Sequence, residues 1–117
     1  MDPVTIYHNP RCAKSRAALA LLQGRNVPLC VVEYLKTPPS RAELQRLRAQ
    51  LGLAPAHWVR ATEDAYRQAG LDGNSSEDAL LDAMAKHPIL MERPIIVRGT
   101  RAIVGRPPER VLELFAA

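Results

Sequence analysis

Aromatic side chains are scarce in this 117-residue chain: one Phe, one Trp and three Tyr. So few rings leave no aromatic-basic platform on which single-stranded nucleic acid could stack. Cysteine is nearly absent too, with two in all. Two thiols cannot form the disulfide framework of a small secreted scaffold, and their context reads as cytoplasmic. Cys12 and Cys30 lie 18 positions apart and the three His are scattered, so no metal-ligand spacing is present. The longest strictly apolar run is six residues, Ala17 to Leu22. A membrane-spanning helix needs about 20. The opening Met1-Asp2-Pro3-Val4 carries neither the basic nor the apolar region of a signal peptide. Lysine is sparse as well, 3 against 13 Arg in a chain of net charge +4. Arginine is the residue of planar, bidentate oxyanion recognition, and this balance is compatible with a small anion, a phosphorylated partner or nucleic acid.

Hydrophobic residues make up 47% and charged residues 24%, an ordinary globular composition. The length fits one domain, residues 1–117. Val4 to His8 reads as a short buried strand, stopped by Asn9-Pro10. A helix fits from Ala13 to about Arg25, with Leu19 and Leu22 on one face. Leu29 to Leu35 reads as a second strand, closed by Thr37-Pro38-Pro39. Strand, helix and strand at this spacing predict a right-handed crossover between parallel neighbours.

A helical insert over about 40–88 follows. Ser40 and Glu43 match a capping box, Leu44, Leu47 and Leu51 keep helical spacing, and Gly52 stops the run. Pro55 opens a short helix through Trp58. Ser75 or Ser76 starts another with Leu80, Leu81 and Met84 inward, ended by His87-Pro88. Pro94 to Arg98 and Arg101 to Gly105 then form a hairpin around Gly99-Thr100. Pro107-Pro108 opens a last helix carrying Val111, Leu112, Leu114 and Phe115. The whole predicts an α/β fold: a thioredoxin-like four-stranded mixed sheet, βαβ then ββα, with a helical insertion.

Chemistry concentrates in His8 to Arg16, between the first strand and the first helix. Cys12 falls at the helix N-terminus, where free amides and the positive dipole end favour a thiolate or a bound anion. Arg11, Lys14, Arg16 and His8 add to that field, and Ser15 is placed to donate a hydrogen bond to the sulfur. A nucleophile beside an anion site suggests attack on an oxyanion or on a disulfide. A dithiol site needs a second Cys where Ser15 stands. A phosphatase loop of the Cys-x5-Arg type needs Arg where Ala18 stands. Cys30, at the start of the second strand and far from Cys12, reads as a packing residue.

Four ordered blocks resemble the glutaredoxin-coupled arsenate reductases: His8-Asn9-Pro10-Arg11-Cys12-Ala13-Lys14-Ser15-Arg16, then Trp58-Val59-Arg60 with Tyr66 and Leu71, then Arg93-Pro94-Ile95, and Gly105 to Glu109. Ala13-Lys14, where classical members carry Gly-Thr, makes the chain most similar to a housekeeping branch. The resemblance implies that Cys12 attacks arsenate to form a thiol-arsenate adduct. It implies glutathione as co-substrate, glutaredoxin as partner, and no bound cofactor. It matches Arg60, Arg93 and Arg106 to the oxyanion-binding arginines and His8 and Ser15 to the residues beside the cysteine. Pro94 matches the cis-proline of thioredoxin-like folds. It leaves two other readings: a thioredoxin-fold regulator or binding module that contacts RNA polymerase, and another thiol-dependent reductase or transferase. No metal, nucleic acid or membrane partner is expected.

Overall fold

A computed structural model describes residues 3–115. In chain order the elements are β1 (Val4–His8), α1 (Ala13–Gln23), β2 (Leu29–Glu33), α2 (Arg41–Leu51), α3 (Asp64–Gln68), α4 (Glu77–Lys86), β3 (Ile95–Arg98) and β4 (Arg101–Val104). Three 3₁₀ stretches join them: Pro55–His57, Pro88–Leu90 and Pro108–Phe115. The chain forms two compact units. One takes the chain up to Thr37 and again from Arg93 onward; the other is Pro38–Glu92.

The first unit is built on one sheet in the order β2-β1-β3-β4. β1 runs parallel to β2, from Val4 against Leu29 to His8 against Glu33. β3 lies antiparallel to β1, with Tyr7 opposite Ile95, and β4 antiparallel to β3, with Ile95 opposite Val104. The thioredoxin-like α/β arrangement expected from the sequence is the one observed. Parallel strands require a crossover, and α1 supplies it. Val4, Ile6, Ala18, Leu22, Ile96, Val111 and Leu114 are buried together as its core. At the far end of α1 two guanidinium groups lie over the Phe115 ring, Arg25 at 4.4 Å and Arg98 at 4.7 Å from its centre. Arg98 also donates to the Leu114 carbonyl at 2.7 Å.

Three readings need correction. β2 stops at Glu33, not Leu35, because the Glu33 carbonyl accepts from both Lys36 and Thr37 and folds the chain into a turn. Cys30 is exposed, not packed: β2 is the outer strand of the sheet and shows part of its length to solvent. The last helix is 3₁₀ throughout.

In the second unit the Ser40–Glu43 capping box is formed and Gly52 ends α2 with φ +65°. Ser76 caps α4, whose Leu80, Leu81 and Met84 are buried. α3 was not foreseen; none of its residues is buried. Val59 and Met91 form an isolated antiparallel bridge.

Candidate active site

The loop from Asn9 to Cys12 is organised by Asn9. Its carbonyl accepts from the Cys12 amide at 3.0 Å, and its Oδ1 accepts from the Arg11 amide at 3.0 Å. Its own amide donates to Ser15 Oγ at 3.0 Å. Arg16 Nη1 closes the loop from outside by donating to the Pro10 carbonyl at 2.9 Å. Cys12 is thereby held as the N-cap of α1, with extended backbone at φ −95°, ψ 121°. Its side chain caps nothing, and the first turn of α1 holds no acid. The amides of Ala13, Lys14 and Ser15 have no carbonyl four residues earlier inside the helix, so the half-buried thiol sits at a donor-rich, positive end.

His8 and Ser15 are both buried and share a 2.6 Å hydrogen bond between Nδ1 and Oγ. That bond, with the Asn9 amide on the other side, ties Ser15 to the imidazole instead of the sulfur it was expected to serve. Burial pushes the His8 pKa below its ordinary 6.5; Glu33, its registered neighbour on β2, pulls weakly upward, and Arg16 pushes further down. The imidazole is therefore held toward its neutral form.

The strand registers bring three further expected residues to the same end of the sheet as this loop. Tyr7 pairs with Ile95, so Arg93 and Pro94 enter β3 beside the point where β1 delivers the cysteine loop. Ile95 pairs with Val104, so Gly105 and Arg106 leave β4 at that end as well. Gly105 donates its amide to the Pro94 carbonyl at 2.8 Å, and Arg106 Nη1 donates to the Arg93 carbonyl at 3.1 Å. The Arg93–Pro94 bond is cis, as expected; the Arg106–Pro107 bond is cis too, which was not. Both arginines are half-buried. Arg60 belongs to the helical unit. There its amide donates to the Leu90 carbonyl at 2.7 Å, and its guanidinium meets Glu63 at 3.0 Å and Glu92 at 3.8 Å.

The registers thus set a cysteine at an open helix N-terminus and two arginine-proline loops at the same end of the sheet, residue types suited to anion binding beside a thiol. A profile of the ArsC family matches residues 7–114, a span that takes in the cysteine loop and all three arginines. The chain belongs to the ArsC family. It is 50% identical over 113 residues to an arsenate reductase of Neisseria meningitidis serogroup A, covering 95% of this chain and 97% of that protein. It is 39% identical over 116 residues to an arsenate reductase of Escherichia coli, covering 98% of this chain and 82% of that one. Among solved structures, an arsenate reductase from Vibrio cholerae superposes with a TM-score of 0.90 at 50% identity, over 96% of this chain and 97% of the other.

Two residues at this ArsC site escaped the sequence reading. Asn9 was read as a strand stop, yet it holds the loop through three hydrogen bonds. Glu33 became visible only once the β1–β2 register set it opposite His8. Beside them, at the ends of β1 and β2, is a cavity of about 200 Å³ lined by His8 to Arg11 on one side and by Glu33, Leu35 and Lys36 on the other. Among the described residues no cluster of His, Cys, Asp or Glu could hold a metal ion, and no helix is long and apolar enough to cross a membrane.

Proposed function

We propose that this ArsC chain is an arsenate reductase that works through Cys12. The observation that carries the reading is Cys12 at the uncapped N-terminus of α1, with Arg93 and Arg106 at the same end of the sheet. The free amides stabilise the thiolate, and the arginines bind and orient a tetrahedral dianion for attack. Family resemblance gives Arg60 the same task from the helical unit. The Cys12 thiolate condenses with arsenate, forming an S–As bond and releasing water. Glutathione condenses in turn on arsenic, with loss of a second water. A glutaredoxin thiolate then attacks the glutathione sulfur. The S–As bond to glutathione breaks with its electron pair going to arsenic, which passes from As(V) to As(III), while the two thiols leave as a mixed disulfide. Water displaces arsenite from Cys12 and restores the thiol. No bound cofactor is needed, and the thiol donors place the reaction in the cytoplasm. His8 and Ser15 fix the floor of the loop on which Cys12 stands.

The test is arsenate-dependent NADPH oxidation coupled through glutathione, glutaredoxin and glutathione reductase. Wild type should turn over and Cys12→Ser should not. Arg93→Ala and Arg106→Ala should each lose about tenfold or more in kcat/KM, the scale of one charge-assisted hydrogen bond. Normal turnover by Cys12→Ser removes the nucleophile and the reading with it.

A further inference from the structure

The reaction needs an external thiol brought to the Cys12 loop, because Cys30 cannot supply one from inside. Cys30 pairs in register with Thr5, near the start of β1, whereas the loop leaves the other end of that strand. The cavity of about 200 Å³ lies at the carboxyl ends of the parallel pair β1 and β2, the sheet end from which the Cys12 loop leaves. One wall, His8 to Arg11, is the loop that ends in Cys12. The opposite wall is Glu33 with the turn that follows it, pinned by two hydrogen bonds to the Glu33 carbonyl.

The charges on these walls are discrete: cations at Arg11 and Lys36 and a carboxylate at Glu33. Pro10 and a 42%-exposed Leu35 supply an apolar contact between them. Lys36 meets Glu33 only at 3.4 Å, with both side chains open to water, so that pair opens at little cost to an incoming carboxylate. We propose that this crevice seats glutathione, the thiol donor of the reductase reading on which the assignment rests. The tripeptide carries two carboxylates and one ammonium, the complement of two cations and one carboxylate, with its thiol at the centre. Cavities that engulf a whole ligand run from about 300 Å³ upward, so this one takes one arm of the peptide and leaves the rest in solvent. The thiol then lies toward the Cys12 side of the loop.

Lys36 carries the test because its side chain is 79% exposed and its replacement leaves the core untouched. In the coupled assay Lys36→Glu should raise KM for glutathione about tenfold, one attraction lost and one repulsion gained, with KM for arsenate within about twofold. Lys36→Arg should restore the wild-type KM for glutathione. S-methylglutathione, which cannot react, should shift the amide resonances of Arg11, Glu33 and Leu35 in wild type and not in Lys36→Glu. An unchanged KM for glutathione, a parallel rise in both KM values, or shifts that map elsewhere overturns the seat. If wild type fails to reduce arsenate at all, the reductase reading falls by itself, and the resonance shifts alone decide whether the crevice binds the tripeptide.

Discussion

Gly105 has no room for a side chain. A Cβ built there would lie 2.9 Å from Ile96 Cδ1, 3.0 Å from Pro94 Cγ and 3.6 Å from Val111 Cγ1. Carbon atoms in contact prefer roughly 3.5–4.0 Å, so two of these three approaches are too close by about half an ångström. Neither neighbour yields easily: Ile96 is fully buried, and Pro94, buried as well, can shift its Cγ only by a change of ring pucker. The backbone of Gly105 has no positive φ, so the penalty in Gly105→Ala is one of space alone. Overpacking of this kind costs about 1–3 kcal/mol. The stiffer unfolded chain returns about 0.4–1 kcal/mol, which leaves a net loss on the order of 1–2 kcal/mol. At about 4–8 °C per kcal/mol for a domain near this size, Tm should fall by roughly 5–15 °C. Urea unfolding should show a lower midpoint with an unchanged slope. Gly73 is the control: it has open space and no positive φ, so Gly73→Ala should be neutral or slightly stabilising. A Gly105→Ala protein as stable as Gly73→Ala would refute the steric argument.

Burial of His8 should make stability depend on pH. The unfolded ring takes up a proton near 6.5, and the folded one resists it; the stability this gives is present above that value and is lost as pH falls through the lower folded pKa. Urea midpoints of wild type should drop as pH falls below about 6.5, and His8→Gln should flatten that drop. Ser40→Ala removes the acceptor of the Glu43 amide and half the capping box, and should lower the unfolding free energy by about 1 kcal/mol. Arg98→Ala removes the bond to the Leu114 carbonyl and one of the two cations over the Phe115 ring. It should speed amide exchange over Pro108–Phe115 while the sheet keeps its protection.

The parts of this fold that announce themselves in sequence are those with a local chemical cause. β1 has the bounds read from Val4 to His8 because Asn9-Pro10 cannot continue a strand. α2 begins at a capping box and ends at a glycine, two signals that need no tertiary context. β2 was overextended because Tyr34 and Leu35 both favour strands, and the turn that takes them out contains neither Gly nor Pro. α3 has no buried face to create a periodic pattern. The 3₁₀ character of the last helix was hidden because its buried anchors, Val111 and Leu114, are three apart, a spacing that fits either helical period. Of the residues the motifs singled out, Cys12, Arg93, Pro94 and Arg106 fall at one end of the sheet. The crevice wall and the His8–Ser15 pairing depend on the β1–β2 register and on hydroxyl geometry, which no local signal encodes.

The sheet order also governs how the chain is made. β1 sits between β2, finished by Glu33, and β3, which begins at Ile95. During synthesis β1, α1 and β2 are available early, while the other edge of β1, a row of unpaired backbone N–H and C=O groups beside the apolar Val4 and Ile6, waits for its antiparallel neighbour. At about 5–20 residues per second, the ~60 residues between β2 and β3 keep that edge open on the ribosome for roughly 3–12 s. An open apolar edge is a template for pairing with another nascent chain. The helical unit shortens the risk from within: its internal contacts condense residues 38–92, so closing β3 onto β1 costs less entropy than closing a flexible loop of the same length. Damage to that unit should therefore show first as lost soluble yield, before the purified protein shows any defect in its sheet.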